Sequence, residues 1–92
     1  MKFEWDGRKA SANLRKHGVS FVEAVTVFAD PLARIHDDPQ HSVGEVREII
    51  IGLAAHGAVL LVSFMERGDT VRLISARRAT AHEKNEYEEA SK

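Results

Sequence analysis

The sequence predicts an α+β fold: one antiparallel sheet with its helices segregated to one face, in the order β-α-α-β-β-β-β-α. Three observations carry this. Between Glu45 and Ala76 the chain holds three apolar runs separated only by Ala54–Gly57 and Arg67–Asp69, the spacing of β-hairpins. Upstream of them, two stretches repeat apolar residues at helical intervals behind cap residues. Downstream, Thr80-Ala-His-Glu83 is a capping box that opens a third helix. Strands grouped together, rather than alternating with helices, argue against a parallel α/β sheet.

Each element has a local cause. Lys2-Phe-Glu-Trp5 alternates polar and apolar residues, as a short strand with Phe3 and Trp5 on one face does. Asp6 is an N-cap for a helix over residues 7–17, and Gly18 suits its C-terminal exit. On that helix Ala10, Leu14 and His17 form the stripe expected to pack inward. Lys9, Asn13 and Lys16 form the stripe expected to face solvent. Ser20-Phe-Val-Glu23 is a further capping box, and Phe21, Val25 and Phe28 give its helix a buried face until Asp30-Pro31 ends it. A short strand is expected over residues 32–36, then a polar, mobile connection over 37–44. Strands follow over 45–53, 58–66 and 71–76, and the last helix runs to about Ala90.

Composition narrows the classes of function. The 92 residues suffice for one modest core, hence a single domain over 1–92. An apolar fraction of 43% beside 29% charged residues fits a folded chain rather than a disordered one. The lack of cysteine excludes disulfides, thiol catalysis and thiolate metal sites. No apolar run approaches the ~20 residues that span a bilayer, and the first residues lack a signal-peptide core, so a cytoplasmic location is expected. The net charge of −1 argues against indiscriminate nucleic-acid binding but leaves room for a local basic site.

The stretch from Arg67 to Tyr87 holds the densest chemistry. Arg77 and Arg78 fall where a strand gives way to a helix, and Glu83 and Tyr87 are one helical turn apart. Alternation puts Arg77 on the same side as Val71, Leu73 and Ser75, with Arg78 near the edge. Cleaving RNA with its own 2′-hydroxyl needs a proton acceptor, a proton donor and cations for the charge that builds on phosphorus. Arginine forks match phosphate oxygens. Glu83, Tyr87 and His82 are the candidate proton-transfer groups, and Lys9 and Lys16 the candidate phosphate contacts. Every one of these also has a structural reading. An arginine can pair with Glu83 or Glu86, Glu83 can cap Thr80, Tyr87 can pack on the sheet, and the lysines can form a solvated face. His36 and His41 flank Asp37-Asp38 without matching a metal-ligand spacing, and no P-loop, GxGxxG or HExxH is present.

Phe3-Glu-Trp-Asp6, Lys16-His-Gly-Val-Ser-Phe21, Val27-Phe-Ala-Asp-Pro31 and Ile74-Ser-Ala-Arg-Arg-Ala-Thr80 follow, in order, the pattern of BrnT toxins. The chain resembles that family from about Phe3 to Glu88. The resemblance implies a RelE-like fold and the toxin of a type II toxin–antitoxin pair, an endoribonuclease that inhibits translation with neither metal nor cofactor. It implies a BrnA-like antitoxin with a ribbon-helix-helix domain, through which the complex contacts operator DNA and represses its own promoter; no membrane is involved. The family's recurring polar residues fall on Lys9, Asn13, Lys16, His17, Arg47, Arg67, Arg77, Arg78, Glu83 and Tyr87. On this reading Arg77, Arg78, Glu83 and Tyr87 are catalytic, and Lys9, Asn13, Lys16, Arg47 and Arg67 bind RNA. The two arginines hold the phosphate, Glu83 is the general base, and Tyr87 positions or donates. The pI near 6.5 departs from the basic character usual for such toxins. Two rivals follow: an inactive homologue that serves as the antitoxin's corepressor, and a small nucleic-acid-binding domain acting alone.

Overall fold

Local chemistry sets the element boundaries in the computed structural model, which describes residues 1–41 and 44–90. The strands are β1 (Lys2–Glu4), β2 (Arg34–Asp37), β3 (Glu48–Leu53), β4 (Val59–Arg67) and β5 (Thr70–Arg78). The helices are α1 (Gly7–His17), α2 (Phe21–Thr26) and α3 (Ala81–Ala90), with 3₁₀ turns at Val27–Ala29 and Pro39–His41. The Asp6 carboxylate accepts from the Arg8 amide at 2.7 Å and opens α1; Gly18, at φ 69°, closes it by donating to the Leu14 carbonyl. Ser20 caps α2 by accepting from the Glu23 amide, but the Glu23 carboxylate turns away from the box and pairs with His56 at 2.8 Å. Of the connection expected over 37–44, residues 42 and 43 lie outside the described residues.

The sheet corrects the expected architecture twice. Its order is β1-β5-β4-β3-β2, and although β2 to β5 pair antiparallel as expected, β1 lies parallel to β5 at one edge, so the sheet is mixed. Strand direction at an edge depends on where the rest of the chain leaves a free partner, which alternation within Lys2–Glu4 does not encode. The helices are also not confined to one face. Val19, Phe21, Ala24 and Val27 pack with Ile50, Leu60, Val62, Phe64, Val71, Leu73 and Ala76 in one core beneath α1 and α2. Phe28 joins this layer edge-on to Phe3 and Phe64, each at 5.1 Å between ring centres. Arg34, Ile51, Leu61 and Arg77 are paired neighbours across four strands and project from the opposite face. There α3 crosses the sheet, with Glu83, Glu86 and Tyr87 lining a cavity shared with Arg34, His36 and Ile51.

Two close approaches hold the layers together. Gly52 gives the chain after α2 its access to β3: a Cβ there would stand 2.9 Å from the Ala33 Cβ and 3.0 Å from the Asp30 Oδ2 and Val27 Cγ1. Asn13 holds α1 to the outer edge of β5, and it exchanges places with Leu14 in the expected stripes, being 7% exposed against 51%, while Ala10 and His17 stay half-buried and Lys9 and Lys16 exposed as expected. The reason is the strand edge. β1 covers β5 only along Thr70–Arg72, which leaves the Ala76 amide and carbonyl facing outward without a strand. The Asn13 side chain replaces one: its Oδ1 accepts from the Ala76 N–H at 3.0 Å, and its Nδ2 donates to the Ala76 carbonyl at 2.8 Å and the Val19 carbonyl at 2.9 Å.

Candidate active site

A β-bulge decides where the arginines point. Ser63 pairs with Ser75 but Phe64 pairs with Leu73, so Ile74 is an extra residue on β5 and shifts the alternation by one. Arg77 therefore projects from the α3 face with Ser75, opposite to Val71 and Leu73, which corrects the expected placement. Arg78 points the other way, into a separate polar concavity with His56 and Lys84. The two adjacent arginines do not share a site.

On its face Arg77 meets α3. Its Nη1 donates to Glu83 Oε1 at 2.8 Å and its Nη2 to Oε2 at 3.0 Å, a two-pronged pair, while Nη1 also reaches the Arg78 carbonyl. Glu83 simultaneously completes its capping box, accepting from the Thr80 amide at 2.8 Å while its own amide donates to the Thr80 hydroxyl at 3.2 Å. The two structural readings of Glu83, cap and ion-pair partner, thus hold together. One turn on, the buried Tyr87 hydroxyl donates to Asp30 Oδ2 at 2.5 Å. Asp30 is set for this: burial pushes its carboxyl up, but bonds from the Leu53 amide, the Tyr87 hydroxyl and the Leu32 amide outweigh burial and leave it below the usual range.

Hydrogen bonds from Arg77, above all, depress the Glu83 carboxyl to about 2, against burial and with help from Thr80. Glu83 reciprocally holds the Arg77 guanidinium above its ordinary value. A depressed carboxyl stabilises the fold above the unfolded-state value near 4.5, and that contribution disappears as pH falls toward about 2. With the two side chains 38% and 22% exposed, screening limits the pair to about 1–2 kcal/mol. Urea melts of Glu83→Gln against the unaltered protein are expected to show that deficit at pH 7 and a smaller one at pH 3.

Arg77 also borders a groove of about 490 Å³ on the open part of this face. Ile49, Leu61 and Ile74 floor it, Ser63 and Ser75 add hydroxyls, Asp38 and Arg47 stand on the β2–β3 connection, and His17 enters from the end of α1. Three of the five Arg77 donors are used within the protein, which leaves two for a ligand. Of the residues singled out from the sequence, the structure gathers Arg77, Glu83, Tyr87 and Arg47 on this face. Arg67 pairs with Glu45 at 2.9 Å at the far end of β4, six residues from Leu61, or about 20 Å along the strand. Lys9 and Lys16 stand exposed on α1, and both amide hydrogens of Asn13 are committed to backbone carbonyls. His17, expected in the inward stripe of α1 and among the family's recurring polar residues, also reaches this groove, as does Asp38; Ser63 and Ser75 were not expected to serve there. The alternation of β4 carries the signal for Ser63, a lone hydroxyl in the run Leu60-Leu-Val-Ser-Phe64.

Other features of the surface do not offer this chemistry. A larger cavity of about 680 Å³ is lined mostly by apolar residues such as Phe3, Val25, Phe28 and Leu53. Its Thr26 hydroxyl and Asp30 carboxylate are already bonded within the protein. Among the described residues no cluster of three or more His, Asp or Glu side chains is arranged to hold a metal ion, and no helix is long and apolar enough to cross a membrane.

The family model for ribonuclease toxins of type II toxin–antitoxin systems matches residues 5–83 of this α+β chain. That family is BrnT, and this chain belongs to it. The chain is also similar in structure to the Brucella abortus ribonuclease toxin BrnT, known from a 1.1 Å crystal structure. The two share 25% identity with a TM-score of 0.69, over 87% of this chain and 97% of that one. No curated protein matches the sequence. Membership of a type II family implies an antitoxin partner.

Proposed function

We propose that this chain is an active endoribonuclease toxin that cleaves RNA in the groove beside Arg77, by attack of a 2′-hydroxyl on the adjacent phosphate. The observation that carries this is the Arg77 fork, held by Glu83 at the rim of a groove that also takes Arg47 and two serine hydroxyls. Arg77, assisted by Arg47, binds the phosphate and the charge that develops on its oxygens. Fixed guanidinium charge performs this service without a metal ion. Glu83, depressed to about 2, is a poor proton acceptor, so its part in the proposal is to orient Arg77. Tyr87 anchors α3 through Asp30 and so positions Glu83. Lys9 and Lys16 guide the RNA strand toward the groove; Arg78, on the other face, contacts flanking phosphates. The fold is RelE-like on this reading. The antitoxin is BrnA-like, covers the groove, and carries a ribbon-helix-helix domain through which the complex represses its own promoter.

The rival reading, an inactive corepressor, has one observation in its favour: Glu83 occupies Arg77 where a substrate phosphate would bind. Induced expression in a bacterial host, with and without the adjoining gene, separates the two. The proposal expects growth arrest with fragmented RNA, relieved by the neighbour. Unimpaired growth from well-expressed, folded protein would favour the corepressor.

A further inference from the structure

With Glu83 bound to Arg77, the proton acceptor must come from the other titratable side chains that line the groove, His17 and Asp38. We propose that His17 is that group, a catalytic residue of the RNA-cleaving site, and that Asn13 is its positioning residue. The assignment rests on the reading of the groove as the cleavage site. His17 is half-buried at the groove wall, where it joins Arg77, Ser63 and Ser75. It comes from α1, which otherwise lies on the core side of the sheet, and the reason it reaches the opposite face is visible in the hydrogen bonds. Asn13 fixes α1 across the uncovered edge of β5 by bonding both backbone groups of Ala76, the residue before Arg77. His17 follows Asn13 by four residues and so stands on the same side of the helix, one turn closer to the rim. The same hydrogen-bond cluster therefore sets the imidazole and the guanidinium relative to each other.

The charged groups facing His17 across the groove are Asp38 and Arg47 from the β2–β3 connection and Arg77 from β5, the last with Glu83 beside it. Lys16 adjoins it on α1. Imidazole accepts and releases protons near neutral pH, the property the reaction needs. The 2′-hydroxyl proton passes to the His17 imidazole as the bond from O2′ to phosphorus forms. The bond from phosphorus to O5′ then breaks, and the departing 5′-oxygen takes a proton from water. The products are a 2′,3′-cyclic phosphate and a 5′-hydroxyl, and His17 returns its proton to solvent.

The test is the initial rate of cleavage of a single-stranded oligoribonucleotide by the purified full chain between pH 5 and 9. His17→Ala is expected to be about 100-fold slower or more, to lose the rise in rate with pH expected of the unaltered protein, and to regain part of its rate from added imidazole. His17→Gln, which fills the same space, serves if the alanine variant does not fold. A uniform loss of rate at every pH with no imidazole rescue would mean a structural role and overturn the assignment. Full activity in His17→Ala alongside an inactive Arg77→Ala would overturn it while leaving the groove as the site. Full activity in both variants, or an unaltered protein that does not cleave, would overturn the site itself.

Discussion

Arg77→Ala is expected to lower RNA cleavage by about 100- to 1,000-fold while leaving a folded protein. Removing one donor aimed at developing oxyanion charge costs on the order of this factor in other enzymes. Arg77 brings two such donors beyond those already bonded to Glu83 and Arg78. The structural cost is smaller, about 1–2 kcal/mol, because Glu83 keeps its Thr80 cap and is 22% exposed, so water reaches the carboxylate that loses its partner. Arg77→Lys separates charge from geometry. A lysine supplies a cation but no fork, so it is expected to recover only part of the rate. Rates from a gel-based cleavage assay, set beside melting curves of the same preparations, check both halves of the prediction.

Asn13→Ala is expected to have the largest effect on stability of any polar substitution in the fold. It removes three hydrogen bonds at once and strands the Ala76 amide and the Ala76 and Val19 carbonyls in a region where Asn13 is 7% exposed. Leaving buried backbone groups unsatisfied costs about 1–3 kcal/mol each before relaxation, so a net loss of roughly 2–4 kcal/mol follows. For a chain of this size that lowers the melting temperature by about 10–25 °C, measurable by thermal unfolding. Asn13→Asp keeps an acceptor for the Ala76 amide but sets a carboxylate against two carbonyls, and it should be no better than alanine. At temperatures where the variants stay folded, cleavage also falls, because the last turn of α1 is no longer fixed to the strand that carries Arg77.

What the sequence conveys about this protein divides along the range of the interactions involved. The hairpins from β3 to β5 were legible because apolar runs and the Arg67–Asp69 turn, with Gly68 at φ 63°, are local signals. The ends of α1 and the Thr80–Glu83 box were legible for the same reason. The parallel pairing of β1 was not, since it depends on which edge the rest of the chain leaves open. Asn13 looked like a surface residue between two lysines; only the bare edge of β5, 63 positions away, explains its burial. The extra residue at Ile74 exchanged the faces taken by Arg77 and Arg78, a displacement that an alternation count through the strand misses. The face taken by α3 depends on Tyr87 finding Asp30, 57 residues earlier. Membership of the toxin family was legible in motifs such as Lys16-His-Gly-Val-Ser-Phe21, while the grouping of side chains in the groove required the fold.

The most direct test of the central claim is the chemistry of the RNA ends left by the purified protein in the presence of a metal chelator. A groove that works by arginine-assisted attack of the 2′-hydroxyl leaves 2′,3′-cyclic phosphate and 5′-hydroxyl ends, and an oligonucleotide with a deoxyribose at the cut position stays intact. Cleavage of that deoxy substrate, 5′-phosphate ends, or activity that the chelator abolishes would contradict it.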